Sequence, residues 1–428
     1  MAFFTIHHKS SKSKARTGQI ITDHGLVQTP AFVPVGTKAT IKAFDPQFIK
    51  QVGIQLSFVN TYHLVTHPGV DILEKAGGVH AFGQLNLPLM SDSGGFQVFS
   101  LAGGKKLAKI RGDEQMAKFS SAVTQENQTA AVGTLAMPID SALQKERKRD
   151  ENEALVVKIS EDGVVFRSLF DGTLIEFTPE KSMEYQQKIG ADIMMAFDEC
   201  TYYPATEEYA RQSMIRTHQW LLRCIQKVRS EDWQTKAKHK QYIYGIIQGA
   251  TFENLRKESA EFISKQDVDG VAIGGVSVGE TKDEMRQQVK WVASYLPEDK
   301  PVHLLGVGQI DDIMELVKHG IDTFDCVEPT RVARMGKIYQ WDLIENGFVT
   351  SDFSNDGIDI LKGKYKNDLS VLDEHCNCYV CKKFTKAYLH HLLKQKELLG
   401  YTLATYHNLV TLERLMVKIR EMITIDAL

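Results

Sequence analysis

The chain contains no run of apolar residues long enough to cross a bilayer, so no transmembrane helix is expected. Its opening, Met1-Ala2-Phe3-Phe4-Thr5-Ile6-His7-His8, turns polar and basic at once, which is not the pattern of a secretory leader. Cysteine is scarce, with six in 428 residues. Free-looking thiols and no leader point to a reducing cytoplasm. Strong charge of one sign is also missing, the net charge being −3. A nucleic-acid partner therefore requires a local basic patch, because phosphate attraction follows the local field and not the total. No G-x-G-x-x-G follows the first predicted strand, which weighs against an open dinucleotide-binding sheet. What is present is ordinary globular usage, 43% hydrophobic and 25% charged. The length suits one large domain with an appendage, or two domains.

Short apolar segments recur at Ala31–Pro34, Ser57–Asn60, Leu87–Met90, Ile193–Phe197, Tyr242–Ile247, Gly270–Ile273, Val302–Leu305 and Thr323–Val327. They alternate with helical-looking stretches such as Thr206–Arg229, Thr251–Lys265 and Asp311–Lys318. About eight buried strands alternating with amphipathic helices predict an α/β chain built as a (β/α)8 barrel, with a doubly wound sheet as runner-up. Turns at Thr17-Gly18 and Asp23-His24-Gly25 predict a small N-terminal antiparallel sheet. The segment Leu107–Val157, with Ser120-Ser121, Gln125–Thr129 and the charge run Lys145–Glu153, breaks the pattern. It reads as an insertion between the third and fourth strands that forms a surface loop. The barrel is assigned to residues 1–372 and a terminal unit to residues 373–428. In that unit Lys382, Lys383, Lys386, Lys394 and Lys396 form a basic face, either solvated or in contact with phosphate.

Half of the cysteines fall in Cys376-Asn377-Cys378-Tyr379-Val380-Cys381. Soft ligands at this density indicate a metal, and C-x-C neighbours are poorly placed to bridge each other. A chance core cluster and a redox pair are the competing readings. Three thiolates leave one position of a tetrahedral zinc shell, which His375, His390, His391 or His407 could fill. A shell closed in that way is structural, with no place for a catalytic water.

Chemistry in a barrel of this type lies at the C-terminal ends of the strands. Here those ends carry Asp92-Ser93-Gly94-Gly95-Phe96-Gln97, Asp198-Glu199-Cys200, Gln248-Gly249, Gly274 through Glu280, Gly306-Val307-Gly308 and Asp325-Cys326. A single aspartate in such a place can simply cap the next helix. Three aspartates on one face point further, because like charges held close push their pKa values apart and give one base and one proton donor. The glycines let a ligand approach the backbone, and Phe96 is either core or a platform for a planar ring. Asp, Gln and backbone amides around a ring suit the hydrogen-bonding edges of a purine-like base. Paired carboxylates beside a base pocket suggest cleavage or exchange at an N-glycosidic bond.

The ordered set Asp92-Ser-Gly-Gly-Phe-Gln, Met195-Ala-Phe-Asp198-Glu-Cys, Gln248-Gly249, Gly274-Gly275-Val-Ser-Val-Gly-Glu280 and Phe324-Asp325-Cys-Val-Glu-Pro-Thr-Arg331 resembles the tRNA-guanine transglycosylases. The tail from Cys376 through Tyr388-Leu-His-His to His407-Asn-Leu does so too. The likeness spans nearly the whole chain except the Leu107–Val157 segment. It implies a modified (β/α)8 barrel with an inserted C-terminal zinc subdomain. It also implies an enzyme that exchanges the wobble guanine of G-U-N anticodon tRNAs (Asp, Asn, His, Tyr) for the queuosine precursor preQ1. By resemblance, Asp325 is the nucleophile that forms a covalent tRNA ester, with retaining-glycosidase logic, and Asp92 is the general acid/base. Asp198, Gln248, Gly275, Val276 and Phe96 form the base pocket, and Arg331 and Arg334 hold the anticodon loop. Cys376, Cys378, Cys381 and His407 become the ligands of one structural Zn2+. Phe384, Tyr388 and His391 resemble the aromatic patch through which bacterial members form homodimers.

Phe96 stands where bacterial members usually carry tyrosine, and Val276-Ser277 replaces a more usual Leu-Ala in the wall facing the side arm of the deazapurine. Val276 makes room, while Val278 stands where queuine-using members have a glycine-like position, so queuine salvage is the second reading. A non-catalytic tRNA-binding subunit of a heterodimer is a further reading, opposed by the retention of Asp92 and Asp325. An archaeal-type enzyme would carry further C-terminal RNA-binding domains. A nucleoside hydrolase would need neither the zinc appendage nor the anticodon-reading arginines.

Overall fold

The computed structural model describes residues 2–95, 156–168, 171–236, 238–340 and 357–428, and the backbone of two short strands within 343–349. Strands β1 (Phe4–Lys9), β2 (Arg16–Thr22) and β3 (Gly25–Thr29) form the expected N-terminal antiparallel sheet. The barrel comprises β4 (Ala31–Pro34), β5 (Ser57–Val59) and β6 (Leu89–Ser91), and resumes further along the chain. Between its third and fourth strands lie β7 (Val156–Ile159), β8 (Val164–Arg167) and β9 (Leu174–Phe177), a separate antiparallel sheet. The barrel continues with β10 (Ile193–Met195), β11 (Tyr242–Ile247), β12 (Gly270–Ile273), β13 (Val302–Leu304) and β14 (Thr323–Cys326).

These eight strands pair in the order β4-β14-β13-β12-β11-β10-β6-β5. The pairings are parallel throughout, and a parallel bridge between Val35 and Phe58 joins the two ends of the sheet. All eight expected strands are thus present, the third two residues later than read. Parallel strands covered on both faces need apolar residues on both, and β11 and β12 are buried along their whole length. The expected insertion lies outside the described residues except for Val156 and Val157, which already belong to β7. No described helix is long and apolar enough to cross a membrane.

The outer helices begin where their sequences say they should. Thr206 accepts from Tyr209 N and caps Glu207–Val228, whose first turn carries Glu207 and Glu208. Thr281 and Glu284 form a reciprocal capping box at Lys282–Val292. At the N-terminal end of the barrel, buried aspartates just before the strands tie the layers together. Asp322 takes Arg16 Nη2 at 2.6 Å and Nε at 3.0 Å, and also accepts from Val302 N at 2.8 Å. Asp192 takes His24 Nδ1 at 2.7 Å, His80 Nε2 at 3.2 Å and Leu89 N at 2.8 Å.

After the eighth strand come the helix Glu328–Arg334 and β15 (Lys337–Tyr339). The short strands β16 (Leu343–Ile344) and β17 (Phe348–Val349) pair with each other, and β18 (Gly357–Asp359) returns to pair with β15. The long helix Leu398–Thr424 then comes back to the barrel. Asn408 receives Tyr339 N at 2.9 Å, and Arg420 donates to the Pro30 carbonyl at 2.6 Å, next to the first barrel strand.

Candidate active site and metal centre

The loop that follows β6 presents Asp92, which is 7% exposed. Its Oδ1 accepts from Thr61 N at 2.6 Å and Gly94 N at 3.2 Å, and its Oδ2 accepts from Asn60 Nδ2 at 2.6 Å. Asn60 and Thr61 directly follow the neighbouring β5, at the start of the helix Thr61–Thr66, so the ends of two adjacent strands converge on one carboxylate. Three N–H donors hold that group in one orientation.

Asp198 follows β10 and is also buried. Ser93 Oγ donates to its Oδ1 and Gln248 Nε2 to its Oδ2, both at 2.7 Å. Burial pushes this carboxyl up to about 6; the nearby charge of Asp92 adds to the rise, and the two donors oppose it. Asp198 and Asp92 are thus close enough for the charge of one to act on the other, as three aspartates on one face predict. Glu199, one residue on, serves structure instead: it binds Arg216 and the Tyr209 hydroxyl.

Gln248, at the end of β11, bridges Asp198 to the turn after β12. Its Oε1 is buried with no hydrogen-bond partner among the described residues, an orphan acceptor of the kind that a ligand N–H satisfies. Gly275 sits against it with φ +61°, and a Cβ there would lie 2.2 Å from Gln248 Oε1. A side chain there would be strained by that φ and would displace the Gln248 amide. Gly95 is similarly constrained, since a Cβ would lie 2.5 Å from the Asp198 carbonyl. Val276 is 5% exposed and closes this wall.

Asp325 lies within β14, three strands along the sheet from Asp92 and on the same C-terminal face. Its Oδ1 bonds to Gly306 N at 2.9 Å and His303 Nε2 at 3.1 Å. Thr323 Oγ1, 2.8 Å from His303 Nδ1, orients that ring. Asp325 Oδ2 has no hydrogen-bond partner among the described residues. His303 was hidden in an apolar run and was not singled out from the sequence.

Arg331 is exposed, and Arg334 half-buried with its Nη1 on the Thr330 carbonyl at 2.6 Å. Both stand on the helix that leaves β14. Lys38 and Lys42, on the loop after β4, join them: burial lowers the pKa of Lys42, and Arg334, Lys38 and Arg331 lower it further. This is the local basic patch that a −3 chain needs for a polyanion, and the two lysines in it carried no sequence signal. Phe96 lies outside the described residues.

Cys376, Cys378, Cys381 and His407 are all buried, and their ligand atoms lie within 4.8 Å of one another. His407 Nδ1 is 3.3 Å from Cys381 Sγ and 3.6 Å from Cys378 Sγ. His407 Nε2 donates to the Tyr339 carbonyl at 2.7 Å, which leaves Nδ1 facing the thiols and able to coordinate a metal. Of the other histidines considered, His390 is engaged with the Ile360 carbonyl at 2.7 Å, and neither His375 nor His391 enters the cluster. The donor set and its burial fit a closed tetrahedral metal shell. His24, Asp192 and His239 form a second compact group at the opposite end of the barrel, where the oxygens of Asp192 already serve His24, His80 and Leu89.

A family model described as queuine tRNA-ribosyltransferase matches residues 10–156 and 142–428. The two stretches meet inside the segment expected to be an insertion. A relative of that name from Caldanaerobacter subterraneus subsp. tengcongensis is 40% identical over 425 residues, covering 99% of this chain and 94% of the relative. One from Herpetosiphon aurantiacus is 40% identical over 423 residues (99% and 89%), and one from Psychrobacter sp. is 38% identical over 425 residues (99% and 94%).

Proposed function

The chain belongs to the queuine tRNA-ribosyltransferase family, and from that premise we propose that it exchanges the wobble guanine of G-U-N tRNAs for preQ1 through a covalent tRNA–aspartate ester. The observation that carries this reading is Asp325, with one oxygen held by His303 and Gly306 and the other unpartnered on the catalytic face.

In the first displacement, Asp325 Oδ2 bonds to C1′ of the ribose as the C1′–N9 bond breaks. The electron pair passes to N9 of guanine, which takes a proton from Asp92. In the second, Asp92 removes the N9 proton of the incoming base, whose N9 bonds to C1′ and releases Asp325. Two inversions retain the configuration. The three N–H donors on Asp92 fix the carboxyl in place for both proton transfers. Asp198, Gln248, Gly275 and Val276 bind the base, with the orphan Gln248 Oε1 accepting one of its N–H groups. The target base must be flipped out of the anticodon stack to reach this pocket. Arg331 and Arg334, supported by Lys38 and Lys42, hold the loop around it.

Cys376, Cys378, Cys381 and His407 would hold one structural zinc ion, whose four filled positions would fix the terminal region and leave none for a reacting group. Phe384 and Tyr388 stack at 5.4 Å with Tyr388 still 38% exposed, which supports this patch as the homodimer contact. The deciding experiment is exchange of labelled guanine into a G-U-N tRNA, chased by preQ1 or queuine. Chase by preQ1 supports the reading, chase by queuine alone moves the substrate to salvage, and no exchange at all overturns it.

A further inference from the structure

Arg256 is a cation sealed completely inside the barrel wall, on the helix Glu253–Ser264. No carboxylate bonds to it among the described residues. Its Nε donates to the Ala250 carbonyl at 2.7 Å, its Nη1 to the Gly274 carbonyl at 2.5 Å, and its Nη2 to the Gly275 carbonyl and to Gln288 Oε1, both at 2.6 Å. Burial lowers its pKa to about 10, with Glu280 opposing, so the group stays charged near neutrality. Burying a charge against neutral acceptors is costly, and the expense falls on the two loops that carry Gln248 and Gly275.

A trans peptide is planar, with C=O and N–H pointing in opposite directions. With the Gly274 carbonyl turned toward Arg256, the N–H of Gly275 must point away from it. The Gly275 carbonyl is turned the same way, which directs the Val276 N–H likewise. Neither N–H has a hydrogen-bond partner among the described residues, whereas the next two, Ser277 N and Val278 N, both bond to Glu280. The guanidinium thus holds two successive carbonyls on its own side and leaves two successive donors on the other.

We propose that Arg256 is a positioning residue that sets the donor polarity of the base pocket, aiming the Gly275 and Val276 N–H groups at an acceptor on the base. It touches no substrate and acts through the peptide planes. This inference rests on the proposed base-exchange function. It assigns discrimination for an exocyclic oxygen on the purine ring to a residue outside the pocket lining.

The test compares the KM for guanine with the Ki of 2-aminopurine, which has the same ring but no oxygen at position 6, in the full-length protein with tRNA. Arg256→Met is expected to raise the guanine KM by about tenfold, the size of one oriented hydrogen bond, with the 2-aminopurine Ki little changed. The KM for tRNA stays at the wild-type value, and Arg256→Lys recovers part of the selectivity. Should Arg256→Met fail to fold, Arg256→Lys and Gln288→Leu carry the same comparison, each with a smaller loss. Equal losses for both bases, or an unchanged ratio in the folded variants, would overturn the proposal. Wild-type protein that exchanges no guanine overturns the parent reading instead, and that control is run first.

Discussion

His303 Nε2 lies 3.1 Å from Asp325 Oδ1, and Thr323 Oγ1 lies 2.8 Å from the other ring nitrogen. Thr323 and Asp325 are both on β14, so one strand supplies the carboxylate and the hydroxyl that orients its partner. With Gly306 N also on Oδ1, the carboxylate is held by one oxygen and offers the other. Asp325→Ala is expected to lower exchange by at least about a thousandfold, with tRNA binding retained. His303→Gln is expected to lower kcat and leave the KM for tRNA unchanged. Trapping the ester on denaturing gels checks both, and equal trapping by wild type and Asp325→Ala would exclude this nucleophile.

Asp198 gives the base pocket a pH dependence. Its carboxyl is raised to about 6, by burial first and by Asp92 second. The charged form, which accepts N–H groups from a base, is therefore lost as pH falls through that value. The KM for the base is expected to rise on acidification across this range in wild type and to stay flat in Asp198→Asn. A carboxyl raised above the ordinary 3.8 favours the fold when protonated, and that contribution is lost as pH rises through about 6. Asp198→Asn should then melt higher at pH 7 while binding base worse. A wild-type base KM that is constant across this range would remove Asp198 from recognition.

Zinc removal is expected to act on structure and not on a reaction step. His407, one of the four residues of the proposed metal shell, lies in the first half of Leu398–Thr424, the helix that also fastens to Tyr339 and Pro30. Chelation, or His407→Ala, should release amide protection in Cys376–Lys383 and along that helix while β10 to β13 stay protected. tRNA binding should weaken in parallel. Hydrogen exchange checks this, and loss of the chemical step with a fully protected tail would assign the metal a catalytic part.

The barrel was legible because its strands are short, continuously apolar and spaced by amphipathic helices, a pattern few other folds share. The site aspartates were legible by their position at strand ends. Three features were not. The sheet β7 to β9 is half-exposed, with strands such as β9 showing only one buried residue, so its segments carry little apolar signal. Arg256 sits beside Lys257 and Glu258 and reads as one more charge on a solvated helix face. It is buried only because carbonyls from two other strand ends converge on it. Asp192 and Asp322 carry the same side chain as Asp92 and Asp325 but precede their strands, and at that end of a barrel a carboxylate ties layers together.

That difference leads to a prediction about stability alone. Burial raises the Asp192 carboxyl, but bonds from His24, His80 and Leu89 N outweigh it and hold the group well below the usual range. Its contribution is present above the ordinary aspartate value of 3.8 and is lost as pH falls below that. His24 is raised above 6.5 by its bond to Asp192, so its contribution is complete below 6.5 and is lost as pH rises through the shifted value. The pair therefore supports the fold best between 3.8 and 6.5. Asp192→Asn should destabilise by about 1–3 kcal/mol within that window, the cost of stripping partners from a buried network. It should also flatten both shoulders of the Tm-against-pH curve. His24→Gln should flatten the alkaline shoulder and spare most of the acid one, since His80 and Leu89 N remain on Asp192. Exchange activity at 25 °C should be unchanged in His24→Gln, because the cluster lies at the end of the barrel opposite Asp92 and Asp325. A loss of kcat in a variant that melts normally would mean that the two ends are coupled through β10.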